Sequence, residues 1–88
     1  MINIIYHRDF LKSAKNLQEN QQRKLAQLIH VIQDDPFDSL LHTKRLSGEL
    51  TGFLSFRITR DWRCIFQFLN ANTIFLLRVK HRKDIYRE

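Results

Sequence analysis

The second half of this chain carries a set of side chains suited to chemistry on a phosphodiester. Arg57, Arg63, Arg78 and Lys80 lie in strand-like stretches, and His81, Arg82, Lys83 and Tyr86 follow directly. Cleaving RNA without a metal needs a base to deprotonate the 2′-hydroxyl and cations to stabilise the phosphorane. It also needs an acid to protonate the leaving 5′-oxygen. Sheet-mounted arginines meet the second need. His81, whose imidazole can both take and give a proton, could meet the first or the third. Tyr86 could stack on an unpaired base or donate a proton. Arg45, Arg78, Lys80, Arg82 and Lys83 extend the cationic surface along which an RNA backbone would run.

These residues act together only if the chain brings them to one surface. Asn3–Tyr6 reads as a short strand. Phe10, Leu11, Ala14 and Leu17 recur at helical spacing, with Asp9 at the helix start and Asn20 as the break. Leu25, Leu28, Ile29 and Ile32 form the buried stripe of a second helix, which Pro36 ends. Two short helices joined by a tight turn predict an antiparallel hairpin. A connector from Phe37 to Leu50 leads to three strands over 53–58, 62–69 and 74–80. The expected fold is therefore α+β, one domain over residues 1–88. It has an N-terminal strand, a helical hairpin and a three-stranded antiparallel meander, with the helices on one face.

Register follows from the requirement that one face be apolar. A three-residue loop at Thr59–Asp61 pairs Ile58 with Trp62, Phe56 with Cys64 and Leu54 with Phe66. It sets Arg57 opposite Arg63 on the other face. A four-residue loop at Asn70–Thr73 then adds Phe75, Leu77 and Val79 to the apolar face, and Arg78 and Lys80 to the arginines. Like charges across a sheet destabilise it by roughly 0.2–1 kcal/mol a pair, a cost better tolerated where an anion sits between them.

Composition agrees with a polyanionic partner. The formal net charge is +6. Up to Thr43 five basic residues balance five acids; from Lys44 onward ten basic residues face four acids. The surplus lies wholly in the half that carries the meander. The single cysteine, Cys64, allows no internal disulfide, and the histidines lack metal-ligand spacing. No cofactor is expected. Nothing at the N-terminus reads as a signal peptide, and no apolar run is long enough to span a bilayer. A cytoplasmic protein without membrane contact is the expectation.

The order of elements resembles the RelE/ParE toxin superfamily, and the motifs extend the likeness. The run from Lys44 to Phe53 (KRLSGELTGF) is similar to the family's approach to its first hairpin strand. Ser55-Phe56-Arg57-Ile58 and Asp61-Trp62-Arg63-Cys64-Ile65-Phe66 are similar to its hairpin, and His81–Tyr86 to its closing segment. The RelE, YoeB and YafQ branches are the nearest in pattern. This resemblance implies a toxin of a type II toxin–antitoxin pair that enters the ribosomal A site and cleaves messenger RNA, leaving a 2′,3′-cyclic phosphate. It implies that Arg57 and Arg63 hold the scissile phosphate, that His81 transfers a proton and that Tyr86 orients the base. Lys44 falls where relatives carry an acid–base group, and Asp61 where YafQ-like members use an acid. The implied partners are the ribosome, mRNA and an acidic cognate antitoxin, in a hetero-oligomer that binds operator DNA through the antitoxin. Two other readings fit the same sequence: a ParE-type gyrase poison without nuclease chemistry, and a non-catalytic basic RNA-binding module.

Overall fold

The computed structural model describes Met1–Ile85. Tyr86, assigned a role above, lies outside the described residues, as does Arg87. The elements are β1 (Asn3–Tyr6), α1 (Arg8–Lys15), α2 (Glu19–Asp34), β2 (Lys44–Arg45), β3 (Leu54–Arg57), β4 (Trp62–Asn70), β5 (Thr73–His81) and α3 (Arg82–Ile85). They form a five-stranded sheet in the order β1-β5-β4-β3-β2. The meander is its centre. β1 pairs in parallel with β5, and β2, a stretch read above as connector, pairs with β3.

Local signals set the helix limits. His7 caps α1, its Nδ1 accepting the Asp9 N–H at 2.9 Å, so the cap is the histidine and not Asp9. The break between the helices falls at Asn16–Gln18, earlier than Asn20. Gln18 starts α2, and its N–H donates to Gln21 Oε1 at 3.0 Å. Asp35 stops α2 before Pro36, in extended backbone. Phe10, Leu17, Leu25, Leu28 and Ile32 lie over one face of the sheet, against Leu54, Phe56, Cys64, Phe66, Ile74 and Leu76. Leu11, expected in that stripe, is exposed. At Cys64, burial pushes the thiol pKa far up.

The first hairpin has the register that side-chain segregation requires: Leu54 opposite Phe66, Phe56 opposite Cys64, Arg57 opposite Arg63. The second does not follow simple alternation. Its loop is Ala71-Asn72, shorter than expected, and Asn70 pairs with Thr73. The ladder then slips twice, leaving Leu69 and Leu77 as extra residues, so that Phe66 faces Leu76 while Cys64 faces Val79. The core therefore receives Ile74 and Leu76, not Phe75 and Leu77. The physical reason is that β5 is an inner strand with apolar neighbours on both sides, so Ile74-Phe75-Leu76-Leu77 is apolar throughout. Leu77 packs in a second, smaller cluster with Leu46, Ile65 and Ile85 on the opposite face.

Candidate functional site on the second face of the sheet

Because directly paired residues share a face, the register assembles this surface row by row. One row runs Arg57, Arg63, Lys80 across β3, β4 and β5. The next runs Lys44, Ser55, Ile65, Arg78 across β2 to β5. Neighbouring strands stand about 4.8 Å apart, and rows along them about 6.7 Å. Five cations thus fall within two adjacent rows, with a serine and an isoleucine between them.

They are not equivalent. Arg57 is exposed, and among the described residues neither it nor Lys80 has an ion-pair or hydrogen-bond partner. Arg63, expected to line the groove as a solvent-facing cation, is only 4% exposed. Its Nε donates to Ser55 Oγ at 2.8 Å, and its Nη2 to the Ser55 carbonyl at 3.1 Å and the His42 carbonyl at 2.6 Å. A guanidinium withdrawn from water must find acceptors for its donors. The fully buried Ser55 and the chain at His42 supply them. His42 sits in the left-handed region (φ 47°), turning the connector so that its carbonyl is available and β2 follows at once. Arg63 therefore ties β3 and β4 to the segment that carries Lys44.

His81 is placed differently from the expected grouping. It pairs with Trp62, rings edge-on at 5.2 Å, and Trp62 packs against the helix-side core. The imidazole thus leaves β5 on the opposite side from Arg57, Arg63 and Lys80. Its Nδ1 accepts the Lys83 N–H at 3.2 Å, starting the short α3. Lys80 and His81 are consecutive in a strand and therefore point to opposite faces.

The outlying cations spread around the rim. Arg78 Nη2 donates to Asp9 Oδ2 at 3.1 Å, so an acid of α1 offsets part of its charge. Arg45 pairs with Leu54, which directs it to the helix side, where it lies over the Phe37 ring at 5.6 Å. The Arg82 N–H donates to the Asp61 carbonyl at 2.8 Å, and its Nε stands 3.9 Å from the Asp61 carboxylate. Asp61 and Arg82 thus face each other at the β3–β4 loop. Lys83 is exposed.

Beside the cations is a feature that sequence reasoning missed, a cleft of about 430 Å³ between the start of α1 and the sheet. Phe53, Ile65, Phe75 and Leu77 form its apolar wall, and His7, Gln67, Arg78 and Lys80 its polar edge. The unbroken apolar run of β5 was the available signal: half of it had to face this side. Among the described residues no group of three or more His, Cys, Asp or Glu could hold a metal ion, and no helix is long and apolar enough to cross a membrane.

Over residues 4–86 the chain matches a family model described as the ParE toxin of the type II toxin–antitoxin system parDE. Solved structures share the fold. YafQ from E. coli strain BL21(DE3) superposes with a TM-score of 0.77 at 19% identity, covering 98% of this chain and 99% of that one. A YoeB/ParE toxin from Agrobacterium tumefaciens gives 0.77 at 16% identity, covering 92% and 99%. A chain of the archaeal RelE–RelB complex from Pyrococcus horikoshii OT3 gives 0.77 at 20% identity, covering 99% and 98%. No curated protein matches by sequence.

Proposed function

The chain belongs to the ParE toxin family of type II toxin–antitoxin systems, and from that premise we propose that it is a ribosome-dependent endoribonuclease that cleaves mRNA in the A site. The observation that carries this reading is the row Arg57–Arg63–Lys80, in which two cations without acidic partners among the described residues flank a third that is locked in place. In the proposed reaction the 2′-oxygen attacks the adjacent phosphorus, the 5′-oxygen leaves and a 2′,3′-cyclic phosphate forms. Arg57 and Lys80 hold the scissile phosphate and stabilise the added negative charge on the phosphorane. Arg63 is a positioning residue: it fixes the backbone from which Arg57 projects and the connector that carries Lys44.

Lys44, on the same face, is the proton-transfer candidate nearest this row. His81 is the second, and it must reach the substrate around the end of β5. Tyr86 keeps the base-orienting role proposed from its sequence position. Arg78, Lys83 and Arg82 serve the RNA backbone, and Arg45 contacts it from the helix side. A substrate ordered by the ribosome suits so small a site, because in-line geometry is then supplied from outside. The proposed partners are the ribosome with its mRNA and a small acidic antitoxin that covers Arg57 and Lys80, within the cytoplasm. The RelE–RelB complexes of Pyrococcus horikoshii OT3 and Methanococcus jannaschii support an antitoxin as partner. Binding of operator DNA would run through that antitoxin.

Primer extension on mRNA from a translating extract tests the reading. Wild type should produce discrete cleavage stops within coding sequence, and Arg57→Ala should not. A second reading, a gyrase poison without nuclease activity, is favoured by two observations: the matching family model is the ParE one, and His81 lies away from Arg57. Growth arrest with gyrase-linked DNA breaks and uncut mRNA would establish it in place of the first.

A further inference from the structure

We infer that the cleft at the β1–α1 junction seats one unpaired nucleobase and that His7 and Gln67 read its edge, an inference that rests on the reading that this face meets RNA. The cleft is built where β1 ends. The His7 N–H donates to the Leu76 carbonyl at 3.0 Å, continuing the β1–β5 pairing by one residue, and the imidazole lies 5.4 Å from the Phe75 ring. Its Nδ1 is occupied by the Asp9 N–H. An imidazole that accepts through Nδ1 carries its proton on Nε2, so His7 offers a donor to whatever enters. Gln67, paired with Phe75 across β4 and β5, offers both a donor and an acceptor from the same face. The Asp9 carboxylate accepts from Arg78 and stands 3.7 Å from His7 Nδ1, so it holds the arginine at the mouth while cancelling part of its charge. Lys80, on the far rim, has no such acid among the described residues.

This combination selects its occupant. An aliphatic side chain would fill the apolar wall but leave the polar groups of His7 and Gln67 without partners. A nucleobase has two apolar ring faces for Phe53 and Phe75, and an edge of donors and acceptors for His7 and Gln67. Its phosphate would lie toward Lys80, which begins the row through Arg63 to Arg57. The cleft is therefore placed to hold the base of a nucleotide whose backbone crosses that row, and so to bias which sequences are cut.

Fluorescence anisotropy at low salt tests this, with labelled single-stranded RNA hexamers of each base and an abasic ribose-phosphate hexamer. His7→Asn keeps a capping side chain for α1 while removing the ring, and Gln67→Ala alters the other edge group without touching the cap. Wild type should bind the best base about five- to tenfold more tightly than the abasic strand, the size expected of one stacked and hydrogen-bonded base. Each variant should lower that ratio at least about threefold and leave abasic affinity unchanged. Equal binding of abasic and base-bearing strands by wild type would overturn the inference. So would a base preference that survives both substitutions, including the case in which His7→Asn weakens only antitoxin capture. Base preference in the wild type, lost in the variants, together with uncut mRNA in a translating extract would keep the cleft and remove the nuclease reading.

Discussion

The two faces of this sheet are built from the same strands yet obey different rules. On the helix side Phe56, Cys64, Phe66, Ile74 and Leu76 are wholly withdrawn from solvent, and their neighbours are other apolar side chains. On the open side the buried residues are Leu46, Ile65 and Ile85 together with the polar pair Ser55 and Arg63. Above them Arg57 and Lys80 stand without acidic partners among the described residues. Within one row, Arg57 and Arg63 are direct cross-strand neighbours with opposite situations. Charge alone therefore does not tell an available arginine from an engaged one; what its donors already hold does.

The first way to break this contrast is to damage the helix side. Phe56→Ala opens a cavity under the sheet and should cost about 3–5 kcal/mol, most of what a domain this small has. Urea unfolding would show it, and a loss below about 1 kcal/mol would mean that the core is not where the fold resides. The second acts on the open side alone. Arg57→Ala should leave the urea midpoint nearly unchanged, within about 0.5 kcal/mol, while mRNA cleavage falls about 10²–10³-fold, a barrier of about 3–4 kcal/mol. Cleavage at the wild-type rate would remove Arg57 from the site.

Arg63 sharpens the comparison because the same substitution there should act on both properties. Arg63→Ala strands the Ser55 hydroxyl and two carbonyls and should destabilise by about 2–3 kcal/mol, with activity lost alongside. Arg63→Lys restores a charge without the fork of donors and should recover little of that stability. Full stability in Arg63→Ala would return this residue to the solvent-facing role expected from sequence. The smallest effect concerns Cys64. Burial raises its folded pKa, so the folded state keeps the proton that the unfolded chain loses above the ordinary thiol pKa of about 8.5. The unfolded state then binds fewer protons, and stability falls as pH rises, by up to about 1.4 kcal/mol per pH unit. Cys64→Ala should show a shallower alkaline decline than wild type between pH 9 and 10; parallel declines would contradict a buried thiol.

What was legible in the sequence follows the same division. Segregation of apolar side chains placed the first hairpin, because an odd loop is the one that keeps Arg57 and Arg63 out of the core. It misplaced Phe75 and Leu77, because a strand buried on both sides has no alternation to read. The parallel partner of β1 was not readable either: four residues at the edge carry no label for the strand they will join. For the site, the register gathered Arg57, Arg63 and Lys80 on one face, but not His81, and it did not give the state of each side chain. Nothing in the spacing of Arg63 told that Ser55 and a left-handed His42 would enclose it. His7 went unnoticed for a related reason: its place in the cleft comes from β1 lying beside β5, a contact between residues seventy positions apart.

That contact has a consequence for the birth of the molecule. Asn3 pairs with Thr73 and Tyr6 with Leu76, so β1 leaves the ribosome seventy residues ahead of the strand it joins. At synthesis rates of about 5–20 residues per second the delay is about 4–14 s, during which β1 lacks the strand it pairs with and the cationic row lacks Lys80. Until β5 has been made, the row that the proposed reaction needs is incomplete. Whatever restrains the finished molecule has that interval in which to be present first.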